Sequence, residues 1–411
     1  MIKPTSAPSE YDCFVLSGGG AKGAYGAGVA KAIELFRRLR GLTNPVVYVG
    51  ASAGALNAYI LASGGADDLI KFWLEIDNQR ILGTKNKHPK LAAAVKLGKS
   101  LLGSSEPFSL YTNTAIKKLV AENATLDRLH SPLIVATTDY STGTPKAFYR
   151  SDLIDGFLHE DGKIEVRKRR LKHLRRIEND EMLVQALVAS AAIPIIFPPV
   201  EISSNYDGVP EKSWFVDGGV GNNTPTREAA YFNRFLEQSG LGIPRVAFCV
   251  KLDNPTVFHG ESDGFDFVSI LMRTMDVFSW VHMKPIVDGW NRINREVEEQ
   301  NNKVDRIAEW IQAQDFRDEQ KSDLTAIITE EFKRLGGPRP RVAVPLIEIE
   351  PSVSLGDVLN FAPKHAAQNI THGYNDALRT LRDRPDPRRP GETMIDEAEH
   401  TQLRQTHILP A

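Results

Sequence analysis

A serine lies at the centre of a glycine-rich turn in residues 50–54, GASAG, directly after the apolar run 46–49. A strand, a sharp turn and a helix-compatible stretch in this order form a nucleophile elbow, in which a G-x-S-x-G turn holds a serine hydroxyl clear of the sheet. Gly50 and Gly54 leave room for backbone to pack closely around that turn. The pattern predicts that Ser52 is a nucleophile. The competing interpretation is a tight strand-to-helix connection in which the serine has no chemical role.

A second glycine-rich turn, residues 18–23, reads GGGAKG and follows the apolar run 14–16. It offers a row of backbone N–H groups at the start of a helix, and such a row binds a phosphate or a developing oxyanion. The same turn satisfies the dinucleotide-binding fingerprint, but the next strand ends in the serine turn and not in the acidic residue that would hold a ribose. A P-loop needs Ser or Thr after the lysine, whereas Gly23 follows Lys22. We therefore favour an oxyanion hole over a phosphate site.

The third candidate for chemistry is Asp217, which ends the short apolar run 214–216 and is followed by two glycines. An aspartate before glycines is most often only a turn residue. Upstream, residues 189–199 read as the end of a helix that runs into an apolar, proline-containing loop. As a base for a serine hydroxyl, an aspartate needs direct contact with it and removal from water, which raises the basicity of its carboxylate.

Together, these pieces resemble the patatin-like phospholipase family. The matching pieces occur in the order of the family and are residues 18–23, 50–54, 190–198, 217–219 and 222–225. Ala51 stands where threonine is frequent in that family, which replaces one small residue by another. Residues beyond 255 carry no motif that we can match.

The resemblance implies a three-layer α/β fold of the patatin type, with a mostly parallel central sheet and a helical C-terminal extension. It also implies a catalytic dyad in which Ser52 is the nucleophile and Asp217 the base. The oxyanion hole would be formed by the backbone N–H groups of Gly19, Gly20 and Ala21. The other motif positions that the resemblance identifies are Gly18, Lys22, Gly23, Gly50, Gly54, Gly218 and Gly219.

The activity that the resemblance implies is lipid acyl hydrolysis of the phospholipase A or lysophospholipase type, through an acyl-enzyme and without a cofactor or a metal. The expected partner is a phospholipid or another acyl-ester lipid, with peripheral contact to a membrane. Lys22 would help to hold the glycine turn or meet an anionic headgroup; the alternative is a solvated lysine.

Two other functions stay open at this point. An α/β-hydrolase with a Ser–His–Asp triad orders its residues serine, acid, histidine. The histidines that follow Asp217 are His259, His282, His365, His372, His400 and His407. None of them lies in a recognisable turn setting. The second alternative is a non-catalytic lipid-binding or regulatory module of the same fold, against which the presence of Ser52, Asp217 and both glycine turns argues.

The elements that must position these residues alternate along the chain. Apolar runs predict strands over residues 11–17, 46–50, 132–138, 213–217 and 245–252, and helical patterns cover 23–40, 53–63, 66–76, 112–122 and 180–191. Strands that alternate with helices predict a mostly parallel sheet covered on both faces. The run 342–349 predicts an edge strand, since Pro345 cannot donate to a ladder.

The predicted organisation is a flexible N-terminus over 1–10, a catalytic domain over 11–380 and a flexible tail over 381–411. The catalytic domain includes a helical extension over about residues 255–380. The tail prediction depends on the proline- and charge-rich stretch from Arg382 to Gly391, a composition that cannot pack a core.

Three stretches bear on access of a substrate. Residues 83–110 are either a lid or a helix packed on the core, and we favour packing. The basic cluster 167–176 suits anionic headgroups or forms a solvated face. The aromatic stretch 265–297 could rest on a membrane, although such a stripe is more often core.

Composition is consistent with a large soluble enzyme. The 411 residues include 42% hydrophobic residues, enough for a substantial core, and the net charge of −2 gives no general attraction to nucleic acid.

We expect Cys13 and Cys249 to be buried thiols and not a disulfide or a metal site. Residues 1–10 lack the apolar segment of a signal peptide. The sequence predicts cytoplasmic localisation with peripheral membrane association and leaves the oligomeric state open.

Overall fold

The computed structural model describes residues 9–84, 109–151, 174–206, 209–239, 242–254, 267–334 and 343–409. Its strands are β1 Ser9–Leu16, β2 Val46–Ala51, β3 Leu133–Asp139, β4 Pro145–Arg150, β5 Leu174–Arg176, β6 Val200–Tyr206, β7 Val209–Asp217, β8 Gly242–Val250 and β9 Leu346–Ile349. Its helices are α1 Ala24–Leu39, α2 Ala53–Ser63, α3 Ala66–Glu75, α4 Asn78–Leu82, α5 Thr114–Asn123, α6 Asp180–Ser190, α7 Gly218–Asn222, α8 Thr226–Ser239, α9 Phe267–Gln312, α10 Asp318–Arg334, α11 Pro363–Asp383 and α12 Glu397–Arg404. A short 3₁₀ turn, Gly20–Gly23, precedes α1.

The strands form one sheet in the order β5-β4-β3-β2-β1-β8-β9, to which the β6–β7 hairpin is joined through β3. β1, β2, β3, β8 and β9 are mutually parallel, whereas β4 and β7 run antiparallel to β3. The prediction of a mostly parallel sheet is confirmed. β9 lies at the edge beside β8, as the proline-containing run 342–349 predicts.

Two apolar cores cover the two faces of this sheet. β1 shows the alternation that a strand imposes: Phe14 and Leu16 pack into the core that contains α1, α2, α3 and α6, whereas Cys13 and Val15 pack into the core that contains α8. Trp290 of α9 also belongs to the second core. Helices therefore cover both faces, and the three-layer α/β architecture is the observed one. Cys13 and Cys249 are buried free thiols.

Helix α11 is an integral part of the first core, although it comes late in the chain. Two glycines let it touch α1: a Cβ at Gly28 would lie 1.8 Å from the Ile370 carbonyl oxygen, and one at Gly373 would lie 2.0 Å from the Tyr25 carbonyl oxygen. The helical extension thus includes a helix that completes the first core.

The prediction of a flexible tail over residues 381–411 is wrong for the described part of that segment. Met394 and Ile395 are completely buried in the first core. Arg388, from the proline- and charge-rich stretch, forms an ion pair with the buried carboxylate of Asp12 on β1. Met394, Ile395 and the ion pair of Arg388 attach this segment to the rest of the fold. The average composition of the segment does not reveal these three residues.

The predicted access surfaces are described only in part. Residues 85–108 of the first stretch and 167–173 of the basic cluster lie outside the described residues. Within the cluster, Arg175 is buried and pairs with Glu211 at 2.8 Å, so it is not available to a headgroup.

The aromatic stretch begins its described part at Phe267, where α9 begins. Trp290 packs in the core and Val281 is exposed. Among the helices that the structure describes, none combines the length and the apolar character needed to cross a bilayer.

Candidate active site

Ser52 occupies the turn between β2 and α2 in a conformation that few non-glycine residues adopt, with φ 54° and ψ −130°. Backbone strain of this kind costs on the order of 1–3 kcal/mol and persists only when the surroundings enforce it. The close packing of the turn explains both glycines of the motif: a Cβ at Gly50 would lie 2.1 Å from the Gly54 carbonyl oxygen, and one at Gly54 would lie 2.2 Å from the Leu16 carbonyl oxygen. The sequence pattern therefore folds as the strained elbow that it predicts.

Ser190 at the end of α6 holds this elbow. Its hydroxyl oxygen accepts a hydrogen bond from the Ser52 backbone N–H at 2.9 Å and donates one to the Ala136 carbonyl on β3 at 2.6 Å. All three groups are buried. The motif over residues 190–198 predicts no role for Ser190, because the two partners of its hydroxyl are distant in the chain.

Asp217 ends β7 and lies beside the elbow because of strand register. Ala51 pairs with Ala136 on β3, and Asp217 pairs with the next residue, Thr137. β2 and β7 thus end facing one another along the same edge of β3. The Thr138 hydroxyl donates to the Asp217 carbonyl oxygen at 3.0 Å and fixes the backbone there. The register brings Ser52 and Asp217 together although they are far apart in sequence.

The Asp217 carboxyl is buried, with 2% of its surface exposed. Its Oδ1 accepts a hydrogen bond from the Gly219 N–H at 2.6 Å. Its Oδ2 has no partner of hydrogen-bond geometry in the described part of the chain. The Ser52 hydroxyl nevertheless lies close enough to lower the pKa of this carboxyl. One carboxyl oxygen is therefore fixed by backbone, and the other is available to a proton.

Burial raises the pKa of Asp217 from 3.8 to about 7, because the charged form loses its hydration. The Ser52 hydroxyl and the Gly219 N–H act in the opposite direction and only partly offset that effect. A group with a pKa near 7 can both accept and donate a proton at neutral pH, as general acid–base chemistry requires.

The glycine turn packs directly against the serine. A Cβ at Gly18 would lie 2.8 Å from the Ser52 Cβ, so only glycine fits at that position. The Gly18 N–H donates to the Asn223 carbonyl at 3.0 Å, which joins this turn to the segment after Asp217. Within the described residues, the N–H groups of Gly19 and Gly20 donate to no protein acceptor. These two groups can supply the donors of an oxyanion hole.

The Ala21 N–H is not free. It donates to the Val358 carbonyl oxygen at 2.7 Å, and a Cβ at Gly20 would lie 2.3 Å from that same oxygen. The expectation of three free amides is thus wrong for Ala21 in this structure. The physical reason is a segment of the chain just before α11 that covers the turn and that no local motif announces.

Lys22 is buried, with its Nζ 3.5 Å from the Asp253 carboxylate just after β8. The alternative of a solvated lysine is therefore excluded. The contact joins the glycine turn to the carboxyl end of a neighbouring strand, which supports a role in holding the turn.

An apolar cavity of about 30 Å³ adjoins Ser52. Its walls include the aromatic pair Trp73 and Phe361, whose rings stack with centroids 6.3 Å apart and an interplanar angle of 5°. Leu359, next to Val358, also lines it. The cavity has the character of an acyl-chain site, but its volume is well below the roughly 150 Å³ of a cavity that binds benzene.

Asn57 joins three parts of this site and was missed by sequence analysis. Its Nδ2 donates to the Gly23 carbonyl at 2.8 Å, and its Oδ1 accepts from the Trp73 indole N–H at 2.9 Å. It is 1% exposed. The signal that the sequence offered was an amide residue on the helix directly after the Ser52 turn.

In the described part of the chain, no histidine side chain hydrogen-bonds to Ser52 or Asp217. His365 bridges the carbonyls of Asn360 and Leu355 at 2.9 and 2.8 Å, and His400 faces Glu397 at 3.9 Å. His259 lies outside the described residues, as does the side chain of His282. The geometry of the described residues therefore favours a dyad over a triad.

The chain matches the model of the Patatin family, described as patatin-like phospholipase, over residues 14–230. No curated protein matches it. Among solved structures, the crystal structure of VipD from Legionella pneumophila is similar at 14% sequence identity with a TM-score of 0.32, and the match covers 91% of this chain and 67% of that one. A similarity of that size carries no conclusion about function.

Proposed function

This chain belongs to the patatin-like phospholipase family, and from that premise we propose that it is a serine lipid acyl hydrolase of the phospholipase A or lysophospholipase type. The family supports lipid acyl hydrolysis in general. The observation that carries the finer proposal is the placement of the strained Ser52 elbow beside a buried Asp217 carboxyl that has one oxygen unpartnered among the described residues.

In the first step, Ser52 Oγ attacks the carbonyl carbon of an acyl ester while Asp217 Oδ2 accepts the hydroxyl proton. The carbonyl oxygen becomes an oxyanion and takes hydrogen bonds from the N–H groups of Gly19 and Gly20. Donors aimed at such a charge are worth on the order of 3–4 kcal/mol each. They need not reorganise, because backbone packing already fixes the turn.

Collapse of the tetrahedral intermediate breaks the ester C–O bond. The leaving alcohol takes the proton from Asp217 and an acyl-Ser52 ester remains. A water molecule then attacks this ester, Asp217 again accepts a proton, and the second collapse returns that proton to Ser52 Oγ and releases the fatty acid. Because Asp217 accepts and donates in each half of the cycle, a pKa of about 7 suits both directions.

We propose that the acyl chain enters the cavity lined by Trp73, Leu359 and Phe361. At about 30 Å³ this space does not hold an acyl chain, so binding requires Leu359 and Phe361 to move outward. Both belong to the segment whose Val358 carbonyl engages Ala21. Peripheral contact with a lipid surface would supply the apolar environment into which they move.

The decisive experiment compares wild type with Ser52→Ala, using chromogenic acyl esters and phospholipid vesicles. We expect the variant to lose hydrolysis and to keep its thermal unfolding midpoint, since alanine fits the elbow. A fluorophosphonate probe should label wild type at Ser52 only. Labelling at another serine, or hydrolysis by the alanine variant, would refute the proposal.

A further inference from the structure

Residues 355–360, which we call the strap, lie over the glycine turn just before α11. The Val358 carbonyl accepts a hydrogen bond from the Ala21 N–H at 2.7 Å, and Leu359 lines the cavity beside Ser52. Both Val358 and Leu359 are buried. The strap therefore covers one amide of the glycine turn and one wall of the apolar cavity.

His365 of α11 holds the strap at both ends. Its Nδ1 lies 2.9 Å from the Asn360 carbonyl oxygen, and its Nε2 lies 2.8 Å from the Leu355 carbonyl oxygen. Gly356 permits this approach, because its φ of 74° is left-handed and a Cβ there would lie 2.8 Å from Nε2. One imidazole ring thus fixes the carbonyls on either side of Val358.

Both carbonyl partners of this ring are hydrogen-bond acceptors. A neutral imidazole has one N–H and one lone pair, whereas an imidazolium donates from both nitrogens. In either neutral tautomer, a lone pair of His365 would face a carbonyl oxygen at hydrogen-bond distance. The Asn369 Nδ2, 3.5 Å from Nε2, does not change this, because it also donates to the Leu355 carbonyl, at 3.2 Å. The observed contacts are therefore all satisfied only when each ring nitrogen carries a proton.

Neighbouring charges do not supply another partner for the ring. The charged residues of the strap, α11, α1, α3 and the glycine turn include Asp357, Lys364, Lys31, Lys71, Glu75 and Lys22. Asp357 Oδ1 accepts from the Leu359 N–H at 2.9 Å, and the three lysines of α1, α3 and the glycine turn form ion pairs with acidic residues. In the described part of the chain, His365 forms no ion pair with a charged side chain. Its proton is thus coupled to the two strap carbonyls.

We propose that the strap is a pH-controlled cover of the Ser52 site, closed while His365 is an imidazolium and opened when the ring loses one proton. Closing takes up that proton, so lower pH favours the closed strap and higher pH the open one. Opening frees the Ala21 N–H and moves Leu359 away from the cavity. The effect on entry of an acyl chain rests on the proposed function, whereas the opening itself does not.

Hydrogen exchange of the unliganded full chain tests this without a substrate. The protection factor of the Ala21 N–H, which corrects for the intrinsic effect of pH on exchange, should fall as His365 loses its proton. The expected fall is about tenfold or more between about pH 5 and pH 8, since a hydrogen bond to a charged group is lost in the range where histidine titrates. NMR of the ring nitrogens should show that His365 loses its proton over the same range.

Three variants separate this effect from other titrations. His365→Gln, whose single side-chain nitrogen reaches only one carbonyl, should leave Ala21 weakly protected at both pH values. His372→Gln, on the same helix, should keep the wild-type dependence. Asp217→Asn removes a carboxyl that titrates in the same window, and the fall at Ala21 should persist in it. The Tyr48 N–H, which donates within the sheet, should keep its protection in that variant and is the reference for global unfolding.

Four results would overturn the proposal. The first is a protection factor of Ala21 that does not change with pH in wild type, and the second is a change that occurs over a different pH range from the loss of the His365 proton. Neither of these measurements depends on a variant that folds. The third is a wild-type dependence in His365→Gln, and the fourth is its loss in Asp217→Asn. Because Asp217→Asn lacks the proposed base, failure of the hydrolase proposal would leave each of these readings unchanged.

Discussion

The Ser190 hydroxyl is fixed between the Ser52 backbone N–H, at 2.9 Å, and the Ala136 carbonyl, at 2.6 Å. This one side chain thus joins the Ser52 turn to β3, the strand that aligns β2 and β7. A residue that touches neither substrate nor reacting atom can therefore set the geometry of the site.

Ser190→Ala should lower stability by about 1–3 kcal/mol, because it leaves a buried donor and a buried acceptor unpaired. Turnover should fall by roughly ten- to a hundredfold as the Ser52 turn loosens, with KM changed less. Steady-state kinetics and chemical denaturation measure the two effects. Ser63→Ala, which removes a helix-end hydroxyl far from the site, is the matched control and should retain turnover.

Asp217→Asn should lose nearly all hydrolysis, because an amide cannot accept the proton of Ser52. His365→Ala and His372→Ala should each keep most of it, since no imidazole belongs to the proposed proton path. The measurement is kcat/KM with a chromogenic ester. A histidine variant that keeps its unfolding midpoint and falls about 10⁴-fold, as expected for a broken triad, would identify a triad instead.

The raised pKa of Asp217 predicts a dependence of stability on pH. The unfolded chain releases this proton near pH 3.8 and the folded chain near pH 7, so the folded state binds more protons between these values. The contribution of Asp217 to stability therefore falls as pH rises through this window, by about 4 kcal/mol in total. Relative to wild type, Asp217→Asn should gain stability from pH 4 to pH 7. Denaturant titrations at several pH values measure this; a difference independent of pH would contradict it.

The same pKa predicts the pH profile of catalysis. Because the first step requires the charged carboxylate, kcat/KM should rise with pH and level off above an apparent pKa of about 7. Initial rates with a substrate that does not titrate measure this profile. A plateau that already begins near pH 5 would mean that Asp217 has an ordinary pKa in the working enzyme.

Phe361 should limit the length of the acyl chain, since its ring lines the cavity and stacks on Trp73. Phe361→Leu should raise kcat/KM for long-chain p-nitrophenyl esters relative to short ones. The change removes part of a buried ring and should cost roughly 1–3 kcal/mol of stability. Val353→Ala, at an exposed position on the same connection, should leave the chain-length preference unchanged.

Met394 should be needed for stability, because it is completely buried. Met394→Ala should cost about 2–5 kcal/mol, the range for large-to-small changes in a core. Arg389→Ala, at an exposed position nearby, should have little effect. Thermal unfolding of the two variants distinguishes a packed segment from a flexible one.

The sequence by itself determined the local parts of this protein. The turn around Ser52, the glycine turn, the aspartate at Asp217 and the main parallel strands are each specified by residues close together in the chain, since conformational preference and apolar periodicity act over short distances. That is why the elements carrying the candidate site were predicted at nearly their observed positions.

Tertiary structure alone decided how those parts are completed. The pairing of Ala51 and Asp217 with successive residues of β3, and the hydrogen bond from Ala21 to Val358, join segments that are distant in sequence. The burial of Met394 likewise comes from a surface built by other helices. Such contacts depend on register and packing in three dimensions, and no local pattern records them, because a side chain's burial and partners are properties of the assembled fold.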